Sequence, residues 1–118
     1  MHSTVDTLDV QIDMGETVIR GTEMGDLAAN INTLGPGTDM TPALAGQPGG
    51  LCQVPHWGYV IDGSMTVTYA DGSDEELAAG DIFHLPPGHT VRTDGGIQIA
   101  DFSPAEPMAK LLAEMVGG

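Results

Sequence analysis

Residues 76–88 read ELAAGDIFHLPPG, and residues 56–63 read HWGYVIDG. In the first stretch the run 82–85 lies between two turn signals, Ala79-Gly80-Asp81 and Pro86-Pro87-Gly88. Proline presets φ and glycine reaches conformations closed to other residues, so such clusters end strands sharply. Short alternating runs of this kind dominate the chain in both directions. Strands are expected at 17–20, 27–34, 52–61, 64–69, 89–93 and 97–102, with turns at Gly35-Pro36-Gly37, Asp62-Gly63, Asp71-Gly72-Ser73 and Asp94-Gly95-Gly96. Asp74-Glu75-Glu76 reads as a solvated hairpin tip, and 41–50 (TPALAGQPGG) as a loop. Strands this short and this evenly spaced make an all-β sandwich or barrel. Helical periodicity is confined to the tail. A helix over about 104–115 would be capped by Ser103, begin at Pro104 and stop at Gly117-Gly118, with Met108, Leu111, Leu112 and Met115 on one apolar face.

The chain has 118 residues, 41% of them apolar, which suits one domain over 1–118 with a barrel core at about 17–102. It carries 17 Asp+Glu against 3 Lys+Arg, a formal net charge of −14. Phosphate backbones and anionic membrane surfaces are bound through clustered Lys and Arg, so both are excluded as partners. No apolar run approaches the ~20 residues of a membrane span. The single cysteine, Cys52, rules out an internal disulfide framework and, with no secretion signal at the start, points to the cytoplasm. The acid surplus serves solubility or tolerance of high salt.

The two opening stretches together resemble the cupin superfamily, small RmlC-like barrels with two motifs, G-x5-H-x-H-x3-E-x6-G and G-x5-P-x-G-x2-H-x3-N. Gly80, DIFHL and Pro86-Pro87-Gly88 match the start of the second, and His56 to Gly63 matches the E-x6-G end of the first. The resemblance implies a double-stranded β-helix, or jelly-roll barrel, with the short helix appended. The family's ligand positions depart from the pattern. Its glutamate position holds His56, its first two histidines fall on Gly50 and Cys52, and its last falls on Val91.

Strand alternation partly restores the site. His89 lies two residues before Val91 and shares its face, so Cys52, His56 and His89 would converge in the barrel. One thiolate and two imidazoles suit a divalent metal, zinc first, with iron, manganese and nickel as alternatives. His84 and Asp101 are the acid/base candidates near that cluster, and Asp101 is also a candidate to orient a ligand histidine or add a fourth ligand. Trp57 and Tyr59 have the opposite parity to His56 and should face outward, where a homodimer would use them. Three readings follow: a metal-dependent enzyme acting on a small molecule, a binding or sensory cupin with a structural metal, and a metal-free small-molecule binder. The fold alone does not choose among them.

Overall fold

In a computed structural model the described residues are 1–117. Alternation of inward and outward side chains sets out eight strands: β1 (Asp9–Met14), β2 (Thr17–Met24), β3 (Leu27–Leu34), β4 (His56–Tyr69), β5 (Asp74–Ala78), β6 (Ile82–Leu85), β7 (His89–Arg92) and β8 (Ile97–Pro104). One helix, α1 (Ala105–Gly117), follows; Gly118, half of the expected stop, lies outside the described residues. All pairings are antiparallel, and the sheet runs β1-β2-β3-β8-β4-β5, with β6 and β7 also on β4. The sheet curls into a half-barrel whose concave side holds the core.

β4 is the organising strand because it belongs to both walls. Its first half pairs with β8 and β6, and its second half with β5 and β7. The expected turn at Asp62-Gly63 is therefore a bend within one 14-residue strand, with a register shift between Val60 and Asp62. Gly63 sits at φ +82°, and a Cβ there would meet the Gly96 carbonyl and Ile97 Cα, so only glycine lets the strands cross this closely. Val60, Met65 and Val67 are wholly or almost wholly buried where the walls meet.

Other differences have local causes. Asp74-Glu75-Glu76 is not a tip but the exposed first part of β5, anchored by buried Leu77; the tip is Asp71-Gly72-Ser73. β1 is an exposed edge strand whose polar residues Asp9, Gln11 and Asp13 alternate with Val10, Ile12 and Met14, and charge on an edge keeps it from pairing with other chains. Residues 41–50 form two short 3₁₀ turns, Pro42–Leu44 and Pro48–Gly50, and bury Leu44. Ser103 does not cap α1. It is fully buried in β8, which continues to Pro104, and Ala105 opens the helix with its N–H on the Asp26 carbonyl at 3.0 Å. Met108 and Leu111 close the barrel from that side, as the apolar face of the helix requires.

Candidate metal centre

Cys52 lies just before β4, on the edge of β7 away from β4, which it shares with residues 38–40. Its N–H donates to the His89 carbonyl at 2.7 Å, and its own carbonyl accepts from Gly88 at 2.8 Å. The Pro86-Pro87-Gly88 turn delivers His89 to the start of β7, where its side chain points inward. His56 opens β4 on the same concave face, opposite Leu85. All three side chains are buried, and one donor atom from each lies within 4.8 Å of the others.

Hydrogen bonds on the far side of each ring aim the donors. His89 Nδ1 donates to the Pro86 carbonyl at 2.7 Å; a carbonyl only accepts, so Nδ1 carries the proton and Nε2 keeps its lone pair. His56 Nδ1 lies 2.5 Å from Ser103 Oγ and 3.9 Å from Asp101 Oδ2. With Nδ1 held by Ser103, Nε2 is the ring nitrogen that faces Cys52. His56 Nε2 stands 3.6 Å from Cys52 Sγ. Without an ion, the thiol donates there or to the Val54 carbonyl. Two ligands of tetrahedral zinc, at 2.3 Å to sulfur and 2.0–2.1 Å to nitrogen, stand about 3.5 Å apart. The Cys52–His56 separation matches that spacing, and a donor atom of His89 stands within 4.8 Å of both.

Burial sets the protonation states. It pushes His56 down to about 3, helped by the neighbouring His89, and it lowers His89 against the opposing Pro86 hydrogen bond. Both imidazoles are thus neutral and ready to ligate at neutral pH. Burial pushes the Cys52 thiol up, so the thiol holds its proton at neutral pH. Asp101, fully enclosed, is pushed up to about 7 by burial, with Asn30 opposing. Its Oδ1 has no partner, and neither do Asn32 Oδ1 and Asn30 Nδ2.

The triad opens on a cavity of about 90 Å³. Asp101 and Asn32 form its polar wall, while Met40, Leu44, Met65 and Met108 form the apolar one. The 41–50 segment roofs it through Leu44. A larger open groove of about 580 Å³ lies between α1 and β1–β3, and no member of the triad lines it.

The structure does not bring His84 to the cavity. Phe83 and Leu85 on either side of it point inward, so His84 points out, its ring stacked on Trp57 at 4.8 Å and 8°. Asp101, the other acid/base candidate, is on the cavity wall behind His56. Two residues escaped the sequence reading. Ser103 was masked by its resemblance to a helix cap, although its two-residue spacing from Asp101 puts both on one face of β8. Asn32 carried no signal beyond strand parity. Trp57 and Tyr59 face solvent, as their parity requires.

Fold and site together define a small antiparallel barrel that gathers metal-type ligands on its concave face. The chain belongs to the cupin family: the model for the cupin domain matches residues 33–96, more than half of its length. Among curated proteins no sequence matches it significantly. Solved structures share the fold. An RmlC-like cupin from Shewanella frigidimarina is 23% identical, with 88% of this chain and 90% of that one covered at a TM-score of 0.61. A Rhizobium leguminosarum protein of unknown function is 22% identical, with 75% and 81% covered at 0.58. Oxalate decarboxylase of Bacillus subtilis, whose structure was determined in work on its Mn(II) centres, is 21% identical at 0.64; the match covers 87% of this chain but 30% of that enzyme.

Proposed function

We propose that this protein is a metal-dependent cupin in which Cys52, His56 and His89 hold one divalent cation, zinc ahead of iron, manganese or nickel, and that it acts on a small molecule in the adjoining cavity. The observation that carries the reading is the 3.6 Å approach of Cys52 Sγ to His56 Nε2, with the remote nitrogen of each imidazole tied back by its own partner. A thiolate with two imidazoles is a borderline-soft set, which favours zinc over the harder manganese. Bound there, the cation would supply Lewis-acid polarisation of a ligand oxygen or activation of water. Asp101 supports an enzyme rather than a purely structural metal: a buried carboxyl with one unpartnered oxygen stands on the cavity wall beside the ligands. The decisive measurement is the metal content of protein purified without a histidine tag. Near-stoichiometric zinc in the wild type and its loss in Cys52→Ser are expected; wild-type protein that stays metal-free after zinc soaking ends the proposal. A large thermal stabilisation by zinc, with no turnover in a substrate screen, would favour the binding or sensory reading.

The same reading includes a homodimer. Two rows cross the convex face: His84–Trp57–Phe102–Ala29 and Ile82–Tyr59–Ala100–Ile31–Arg20. Ile82 is 84% exposed and Trp57, Tyr59 and Phe102 each close to half exposed, yet Arg20 is the one charged side chain in these rows. The first acid, Asp62, stands one row further on. A second copy also carries −14, so the acid-free face is where two copies approach with least repulsion. A cytoplasmic setting is supported by the one cysteine, buried and free.

A further inference from the structure

Residues 41–51 cover the triad cavity without joining the sheet. At one end the Met40 N–H donates to the Val91 carbonyl at 3.0 Å, and at the other the Cys52 N–H donates to the His89 carbonyl at 2.7 Å. Both acceptors are on β7 and two residues apart, so the segment leaves and rejoins the barrel within about 7 Å. That is the form of an Ω-loop. Among the described residues its backbone hydrogen bonds are all local: Leu44 to Met40 and Thr41, Ala45 to Pro42, Gln47 to Leu44, Gly50 to Gln47 and Leu51 to Pro48. Two side-chain bonds reach the rest of the fold, Thr41 Oγ1 with Thr90 Oγ1 at 3.1 Å and Gln47 Nε2 donating to Glu114 Oε2 of α1 at 2.6 Å. Leu44 is the one buried side chain of the segment.

Behind Leu44 lie the buried triad and a cavity of about 90 Å³, the share of about three water molecules. Nothing larger fits beside the ligands while Leu44 is in place. α1 covers the cavity too, but it buries both Met108 and Leu111, follows β8 without a break and begins on the Asp26 carbonyl. The loop is the weaker closure. Near its second anchor, Gly49 and Gly50 stand at φ +67° and +73°, where a Cβ would meet nothing within 4 Å, so the chain can pivot there.

We propose that residues 41–51 are a gate. The loop swings out on its anchors Met40 and Cys52, withdraws Leu44 and opens the triad while the barrel and α1 stay folded; the Gln47–Glu114 hydrogen bond is its latch. The gate stands on the loop's bonding and the burial of the triad. That what passes it is a cation and its ligand rests on the metal reading.

Cys52 is the only thiol, so its reaction with the neutral disulfide 4,4′-dithiodipyridine, followed by the thiopyridone released, reports each opening. Metal-free protein is labelled at several urea concentrations below its unfolding transition, and amide exchange is measured on the same protein. A labelling rate nearly independent of urea is expected, because a loop exposes little surface, with opening at least about 100-fold more frequent than global unfolding. Leu44→Ala should speed labelling at least about tenfold and Gln47→Ala about 2–10-fold. Leu77→Ala, in β5 and away from the cavity, lowers global stability and should leave the rate unchanged. Labelling with the urea slope of global unfolding, or acceleration by Leu77→Ala as large as by Leu44→Ala, overturns the gate. So do α1 amides that open as often as Cys52, since the helix then lifts instead. The urea slope and the amide exchange need only wild-type protein and hold if Leu44→Ala misfolds. A wild-type rate in Leu44→Ala or in Gln47→Ala overturns the plug or the latch. Saturating zinc should halt labelling. Zinc that leaves the rate unchanged overturns the metal reading and not the gate; zinc that suppresses a rate tied to global unfolding does the reverse.

Discussion

At Cys52 a thiol with a raised pKa sits beside two imidazoles that burial keeps neutral. Metal binding therefore releases one proton, from sulfur and not from the rings. Zinc affinity is expected to rise about tenfold per pH unit between about pH 6 and 8, and competition with a chromophoric chelator reads this directly. In Cys52→Ser the slope should vanish along with most of the affinity. Ser103→Ala frees the back of His56, and a lost partner of this kind lowers metal affinity by about 10–100-fold. Unchanged zinc affinity in that variant would mean that Asp101 alone orients the ring. In metal-free protein, His56 and Asp101 work against each other. His56, at about 3 folded against 6.5 unfolded, contributes stability that is present above 6.5 and is lost as pH falls towards 3. Asp101, at about 7 folded against 3.8 unfolded, contributes stability that is present below 3.8 and is lost as pH rises towards 7. Asp101→Asn removes the second arm. Between pH 4 and 6.5 its unfolding free energy should climb relative to wild type by roughly 1 kcal/mol per pH unit, measured by urea titration at several pH values.

Strand β4 carries the site because it bends from one wall into the other while keeping His56 at its inward start. Gly58 is what lets β8 bring Asp101 alongside. A Cβ at 58 would meet the Ala100 carbonyl, Phe83 Cζ at 2.6 Å and Asp101 Cβ at 2.9 Å, and the backbone carbonyl has nowhere to go. Gly58→Ala should cost about 1–3 kcal/mol in denaturant unfolding and reduce zinc affinity together with it, since the displaced strand holds both Asp101 and Ser103. A variant as stable as wild type would show that β4 and β8 can separate without consequence. Cys52 shares the outer edge of β7 with residues 38–40, so candidate ligand and fold are joined at one residue: the backbone of Cys52 pairs with His89 while its sulfur lies near the same histidine's ring.

For the whole molecule, a charge of −14 and two acid-free rows on the convex face set opposing terms on association. Salt screens the first and leaves the apolar contact intact. Dimerisation, followed by light scattering, should therefore strengthen from about 0.05 to 0.5 M sodium chloride, the reverse of an interface built on ion pairs. Ile82→Glu puts an acid at the most exposed apolar position of the face and should yield monomer at micromolar concentration with zinc content unchanged. A wild-type monomer across that salt range removes the dimer from the functional reading.

Much of this was written in the chain. The turn tripeptides around 82–85, the match of 56–63 and 80–88 to the cupin motifs, and period-2 parity were enough to name the fold class and to put His89 on the inward face along with Val91. These are local properties: φ restriction at Pro and Gly, and the fixed two-residue repeat of a strand, do not depend on distant residues. Parity also sent Trp57 and Tyr59 outward, and applied to Phe83 and Leu85 it would have sent His84 with them. What neighbouring residues cannot express is which strands meet. Whether Asp62-Gly63 turns or merely bends depends on β4 having partners in both walls. Ser103 reads as a helix cap until β8 is seen to continue through it and end behind His56. Asp101 has a solvated strand end's sequence context, and only the closure of β3, β4 and α1 around it withdraws the water that would keep its pKa ordinary. Local rules thus determined the elements and the facing of each side chain; tertiary closure decided which of those side chains share a dry cavity, because burial and hydrogen-bond partnership are properties of the assembled sheet.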